Sequence, residues 1–152
     1  MRPKTQSVLA AAGLAVAVGC SSVSHTKPSP ARVSPPGAAA IANGQSIFQT
    51  GRDSEGSQII AKPPAPYPKC VACHRADGSG GVHLPGGAVS ADLRYKALVT
   101  EQKPPYTLAL LERAISTGVD NTGQPLNSVM PRWKLSKRDL HDVAYYVLTK
   151  LK

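Results

Sequence analysis

Three stretches of the chain repeat apolar residues at helical spacing, and each predicts a short amphipathic helix. In the first, Ala40, Gly44 and Phe48 share one face with Ile41 and Ile47 beside them, and Gly51 is the stop. In the second, Thr107 stands as a cap before Leu108, Leu111 and Ile115, and Gly118 ends the run. In the third, Ser136 followed by Asp139 resembles a capping box, and the helix it opens carries Leu140, Val143, Val147 and Leu151. A fainter pattern places a short turn or helix from Ser90, with Leu93 and Leu98 facing inward. Between these elements the chain reads as loop. Residues 52–69 end in Pro63, Pro64, Pro66 and Pro68, the glycines from Gly78 to Gly87 exclude regular structure, and Asp120 to Pro131 lacks periodicity. No strand alternation and no repeat is visible, so the expectation is an all-α domain with long loops.

The N-terminal pattern is different. Arg2 and Lys4 precede an apolar run from Val8 to Gly19. That is short of the roughly 20 residues a membrane-spanning helix needs, and it fits the core of a secretory signal. The run ends Ala17-Val18-Gly19-Cys20, with Ser21 and Ser22 following. This looks like the cleavage box of bacterial lipoproteins, in which the cysteine becomes the lipidated first residue, although that box usually has Leu where Ala17 stands. From Ser21 to Gly37 the chain is rich in Ser, Pro, Ala and Lys, and it reads as an extended tether. The expected organisation is a signal over 1–19, a tether over 20–37 and one domain over 38–152.

Composition sharpens this picture in two ways. The 152 residues include 14 Pro and 13 Gly but only one Phe, one Trp and five Tyr, so a core built from large side chains is thin. Small cores of this kind usually rely on disulfides, a metal or a cofactor, and three cysteines cannot form a disulfide framework. The net charge of +9 suits nucleic acid, a membrane or an acidic protein and by itself does not choose among them. Cleavage before Cys20 would remove Met1, Arg2 and Lys4. The remaining chain stays basic, and Met130 becomes its single methionine.

The chemistry-bearing motif is Cys70-Val71-Ala72-Cys73-His74. C-x-x-C-H is the attachment pattern of a c-type haem. Two thiols about one helical turn apart reach the two vinyl groups on one side of the porphyrin, and the next residue sits where its imidazole binds the iron. A structural zinc site would need a second ligand pair, which the sequence lacks. A thioredoxin-like dithiol would need a βαβ setting, and a Cys70–Cys73 disulfide would leave His74 without a role. A porphyrin also answers the thin core, because it is a large apolar body for the chain to fold around.

From about residue 38 to residue 152 the chain resembles the class I cytochrome c family of small bacterial monohaem proteins. The resemblance rests on Cys70-Val-Ala-Cys-His74 and on Met130-Pro131-Arg132-Trp133, which looks like the family's Met-Pro loop. It rests also on Gly44 and Phe48 in the first helix against Val143 and Tyr146 in the last, where family members cross their terminal helices. It implies the cytochrome c fold, three to five short helices around one covalently bound haem c. Cys70 and Cys73 would form the thioethers, and His74 and Met130 would be the axial iron ligands. Pro85 would offer its carbonyl to the other ring nitrogen of His74, a bond that orients the imidazole and tunes its basicity. The family usually joins its first helix to the haem motif by a few residues, and the stretch 52–69 is a departure.

Met130 has independent support, since a thioether suits haem iron and this methionine lies in a Pro-flanked loop outside any apolar pattern. Trp133 reads as packing on the haem, as a donor to a propionate or as ordinary core, and Arg132 either as a surface residue or as a propionate partner. His83 follows His74 too closely to reach the opposite haem face, His141 reads as a surface residue, and His25 lies in the tether. With both axial positions filled, the implied function is one-electron transfer rather than enzymatic catalysis. Redox partners with acidic docking surfaces fit the basic charge, and nucleic acid does not fit an exported haem protein. The expected location is the periplasm, on a membrane anchored through lipidated Cys20. The alternatives are a peroxidase-type haem enzyme or a gas-sensing module in which Met130 leaves the iron.

Overall fold

The computed structural model describes residues 37–152. The signal expected over 1–19 and the tether expected over 20–37, apart from Gly37, lie outside the described residues, and Cys20 and His25 with them. Four α-helices, α1 (Ala38–Thr50), α2 (Val71–His74), α3 (Leu108–Thr117) and α4 (Lys137–Lys150), are joined by long loops. A π-helical turn spans Lys96–Glu101, and two three-residue strands, β1 (Ile60–Lys62) and β2 (Arg132–Lys134), pair antiparallel.

The helix boundaries follow the local chemistry. Gly51 and Gly118 end α1 and α3 in the left-handed conformation, which glycine adopts without a side-chain penalty. Thr107 caps α3 by accepting a hydrogen bond from the Leu110 amide, and Ser136 caps α4 by accepting from the Asp139 amide. Helices α1 and α4 cross face to face. A Cβ at Gly44 would overlap the Asp142 carbonyl, so only glycine allows this approach. One turn further, Phe48 and Tyr146 meet with ring centroids 5.7 Å apart in a tilted arrangement, a geometry that adds to simple burial.

Beside the aromatic pair lies a polar link that the apolar pattern does not announce. Buried Asn43 donates to Asp139 Oδ1 (2.9 Å) and Asp142 Oδ2 (2.8 Å) and accepts from the Ser54 amide (2.7 Å). It therefore ties α1 to α4 and to the start of the 52–69 segment. Burial pushes the Asp139 carboxyl up, but hydrogen bonds from Ser136 and Asn43 and the Arg138 charge outweigh it and hold the group below the usual carboxylate range. Its stabilisation is complete above the ordinary carboxylate pKa and is lost as pH falls through the lower folded value. Asn43→Ala removes a donor and raises that value. The expected result is a loss of about 1–3 kcal/mol at neutral pH and an acid-unfolding midpoint moved to higher pH, measured by circular dichroism.

Two sequence expectations need correction. Residues 52–69 are not loop throughout, because Ile60, Ala61 and Lys62 pair with Lys134, Trp133 and Arg132. The pairing is long-range and three residues deep, too short to show as alternation. The helix expected from Ser90 begins instead near Tyr95. The Ser90 hydroxyl is engaged elsewhere: it donates to the Cys73 carbonyl (2.7 Å) and accepts from the Val82 amide (2.9 Å), so it is not free to cap a helix.

Candidate functional site

The single turn α2 begins just after Cys70. The His74 amide donates to the Cys70 carbonyl (2.9 Å), and the Arg75 amide to the Val71 carbonyl (3.0 Å). This winding places Cys70, Cys73 and His74 along one wall of a large cavity. The Ser90 bond to the Cys73 carbonyl and a bond from the Gly80 amide to the His74 carbonyl (3.1 Å) pin the turn to the following loop.

The cavity has a volume of about 790 Å³, within the range of sites that enclose a cofactor. Phe48, Leu98, Leu111, Trp133, Val143 and Val147 are core residues that also border it. The loop 126–131 contributes Met130, and the 52–69 segment contributes Ile59, Ala65, Pro66 and Tyr67. Cys70, Cys73, His74, Pro85, Met130 and Trp133, named from the sequence, all border this one cavity. Trp133 is almost completely buried, in keeping with each of its readings. His83 borders the cavity as well, whereas His141 bonds Glu112 of α3 (3.0 Å) and is half-buried rather than on the open surface.

His74 is buried, and its Nδ1 lies 2.9 Å from the Ala91 carbonyl oxygen. This corrects the expectation for Pro85: the backbone partner of the imidazole is Ala91. Pro85 stands in a short 3-10 turn, Pro85–Gly87, and borders the cavity without making that bond. Burial lowers the His74 pKa, against the bond to Ala91, which raises it. The ring is thus favoured in its neutral form, and with Nδ1 held by the backbone, Nε2 is the nitrogen left for a ligand bond.

Burial pushes the Cys70 thiol up to about 12 and also raises that of Cys73. A metal-binding thiolate would carry the cost of that burial, whereas a thioether carries no charge. Among the described residues no three His, Cys, Asp or Glu side chains gather as a metal site. The donor set is therefore two thiols suited to covalent capture, one imidazole and one thioether around an apolar chamber. These residues fit a haem c. Gln102, Tyr106 and Asn121 also border the chamber and supply polar groups, none of which the sequence marked, because isolated polar residues in loops carry no pattern.

The cytochrome c family model matches residues 41–150. The chain belongs to the cytochrome c family. It has the cytochrome c fold, mostly helical with one small sheet among the described residues, and its family membership assigns it haem c, electron transfer and redox partners. Comparison with curated proteins and with solved structures gives no match.

Proposed function

We propose that this cytochrome c carries single electrons on one haem c held by His74 and Met130, as a membrane-tethered periplasmic carrier or redox subunit. The supporting observation is the convergence of Cys70, Cys73, His74 and Met130 on one apolar cavity. When bound, haem c supplies a one-electron couple at its iron. The chain does the rest. Cys70 and Cys73 would hold the porphyrin through thioethers. His74, oriented by Ala91, would hold the iron through Nε2 and Met130 would hold it through sulfur, so that the group would exchange electrons rather than bind substrate. The buried lining from Phe48, Leu98 and Trp133 would exclude water from the bound group and favour its less charged ferrous state.

The partners in this reading carry acidic docking surfaces. Lys62 and Lys134 project as neighbours from the exposed face of the β1–β2 ladder, and Lys62 pulls the Lys134 ammonium below the usual lysine range. Exposed Ile60 and Tyr67 lie close to them in the chain. An anionic partner would relieve the like-charge contact, and steering of this kind fades with salt. Membrane attachment rests on Cys20 and on the lipoprotein-like signal before it.

The test is made on protein from an exporting bacterial host. Mass spectrometry should find one covalent haem, redox titration should give a reversible one-electron wave, and carbon monoxide should not bind at neutral pH. Cys20→Ala should move the protein from membrane to soluble fractions with its visible spectrum unchanged. Carbon monoxide binding by the wild-type protein would overturn the carrier reading, and continued membrane association of Cys20→Ala would overturn the anchor.

A further inference from the structure

We propose that Arg132 is the positioning residue for Met130, its guanidinium acting as a clasp across the base of the loop that presents the sulfur. The inference rests on the reading of Met130 as an iron ligand. Arg132 Nη2 donates to the Leu126 carbonyl (3.0 Å) and Nη1 donates to the Met130 carbonyl. One planar group thus joins the beginning and the end of the segment 126–130, a task suited to arginine's rigid fork of donors. Among the described residues Arg132 forms no ion pair, and it does not border the cavity. Its charge is therefore directed to loop carbonyls and not to a haem propionate.

Two further features hold the clasp in place. The backbone of Arg132 lies in β2, opposite Lys62 of β1, so the 52–69 segment fixes the position from which the side chain reaches back. Gly118, the residue that ends α3, leaves the room: a Cβ there would overlap the Arg132 guanidinium. The Gly118 carbonyl also accepts from the Leu126 amide (2.8 Å), which anchors the loop's first residue to α3. Helix stop, loop base and guanidinium form one joint, and Met130 stands at its end.

The experiment titrates the ferric holoprotein with imidazole, which competes with Met130 for the iron, in Arg132→Leu, Arg132→Lys and Asn43→Ala. Loss of the far-red sulfur-to-iron band reports displacement. Arg132→Leu should bind imidazole about tenfold more tightly than wild type, corresponding to about 1.4 kcal/mol less hold on the methionine. Arg132→Lys, with a single point donor, should fall between, and it carries the test if the leucine variant does not fold. Asn43→Ala loosens the domain away from this loop and should leave imidazole affinity unchanged. Wild-type affinity in both Arg132 variants would overturn the proposal, as would an equal gain in Asn43→Ala, which would mark general loosening. A wild-type protein without the far-red band fails at the ligand assignment itself and takes the clasp with it, an outcome visible before any variant is made.

Discussion

Met130→His is expected to keep the haem low-spin, erase the far-red sulfur-to-iron band and lower the reduction potential by on the order of 0.1–0.2 V, within the ~0.8 V range that axial ligands span. Thioether sulfur favours ferrous iron, whereas a second imidazole is a stronger donor to the ferric state. Position 130 allows the comparison because its backbone is fixed independently of its side chain: the Met130 amide donates to the Asn127 carbonyl (3.0 Å), and its carbonyl accepts from Arg132. Met130→Ala keeps those backbone bonds and removes only the sulfur, so the iron should accept carbon monoxide or water. Absorption spectra of both oxidation states and a potentiometric titration check both variants. If Met130→Ala retains the wild-type ferric spectrum and potential, the sulfur is not the ligand.

Replacing Cys70 and Cys73 together by Ala is expected to abolish covalent haem and, with it, the folded state. The magnitude follows from the cavity. At about 24 cal/mol per Å³, leaving about 790 Å³ unfilled has an upper bound near 19 kcal/mol, more than the 5–15 kcal/mol that stabilises an ordinary domain. Even partial collapse would consume most of the stability, because Phe48, Leu111, Trp133 and Val143 all border the chamber and belong to the core. Circular dichroism of the exported double variant should show little helix and no cooperative melt. A compact variant that melts cooperatively without haem would show that the side chains alone suffice.

The parts of this molecule that were legible in its sequence are those encoded locally. Thr107, Gly118, Ser136 and Asp139 act on residues within one turn of themselves, so the ends of α3 and α4 stand where the chain places their signals. The crossing of α1 and α4 was legible through Gly44 because a close approach leaves a specific residue type behind. Backbone partners leave none. Nothing about Ala91 marks its carbonyl as the one that meets His74, and the expectation settled on Pro85, a residue with a visible signature. Arg132 was obscured in the same way, since Leu126 and Met130 receive it through main-chain oxygens. Asp139 was legible only as part of a capping box, and nothing marked its burial beside Asp142, which the approach of Asn43 from α1 makes tolerable. The β1–β2 pairing was illegible because three residues carry no period and the partner strand is far along the chain.

That pairing also bears on how the chain would close around its cofactor. The ladder joins residues 60–62 to residues 132–134, and all four side chains assigned to the haem lie on the stretch of chain between them. Contacts so distant in sequence are slow to form, because a long loop must close before they contribute. Until the ladder closes, this stretch is an open arc in which Cys70 and Cys73 would be accessible to a porphyrin. Closing the ladder turns it into a ring, so a haem held by these four side chains would not be unthreaded by fraying of either chain terminus alone.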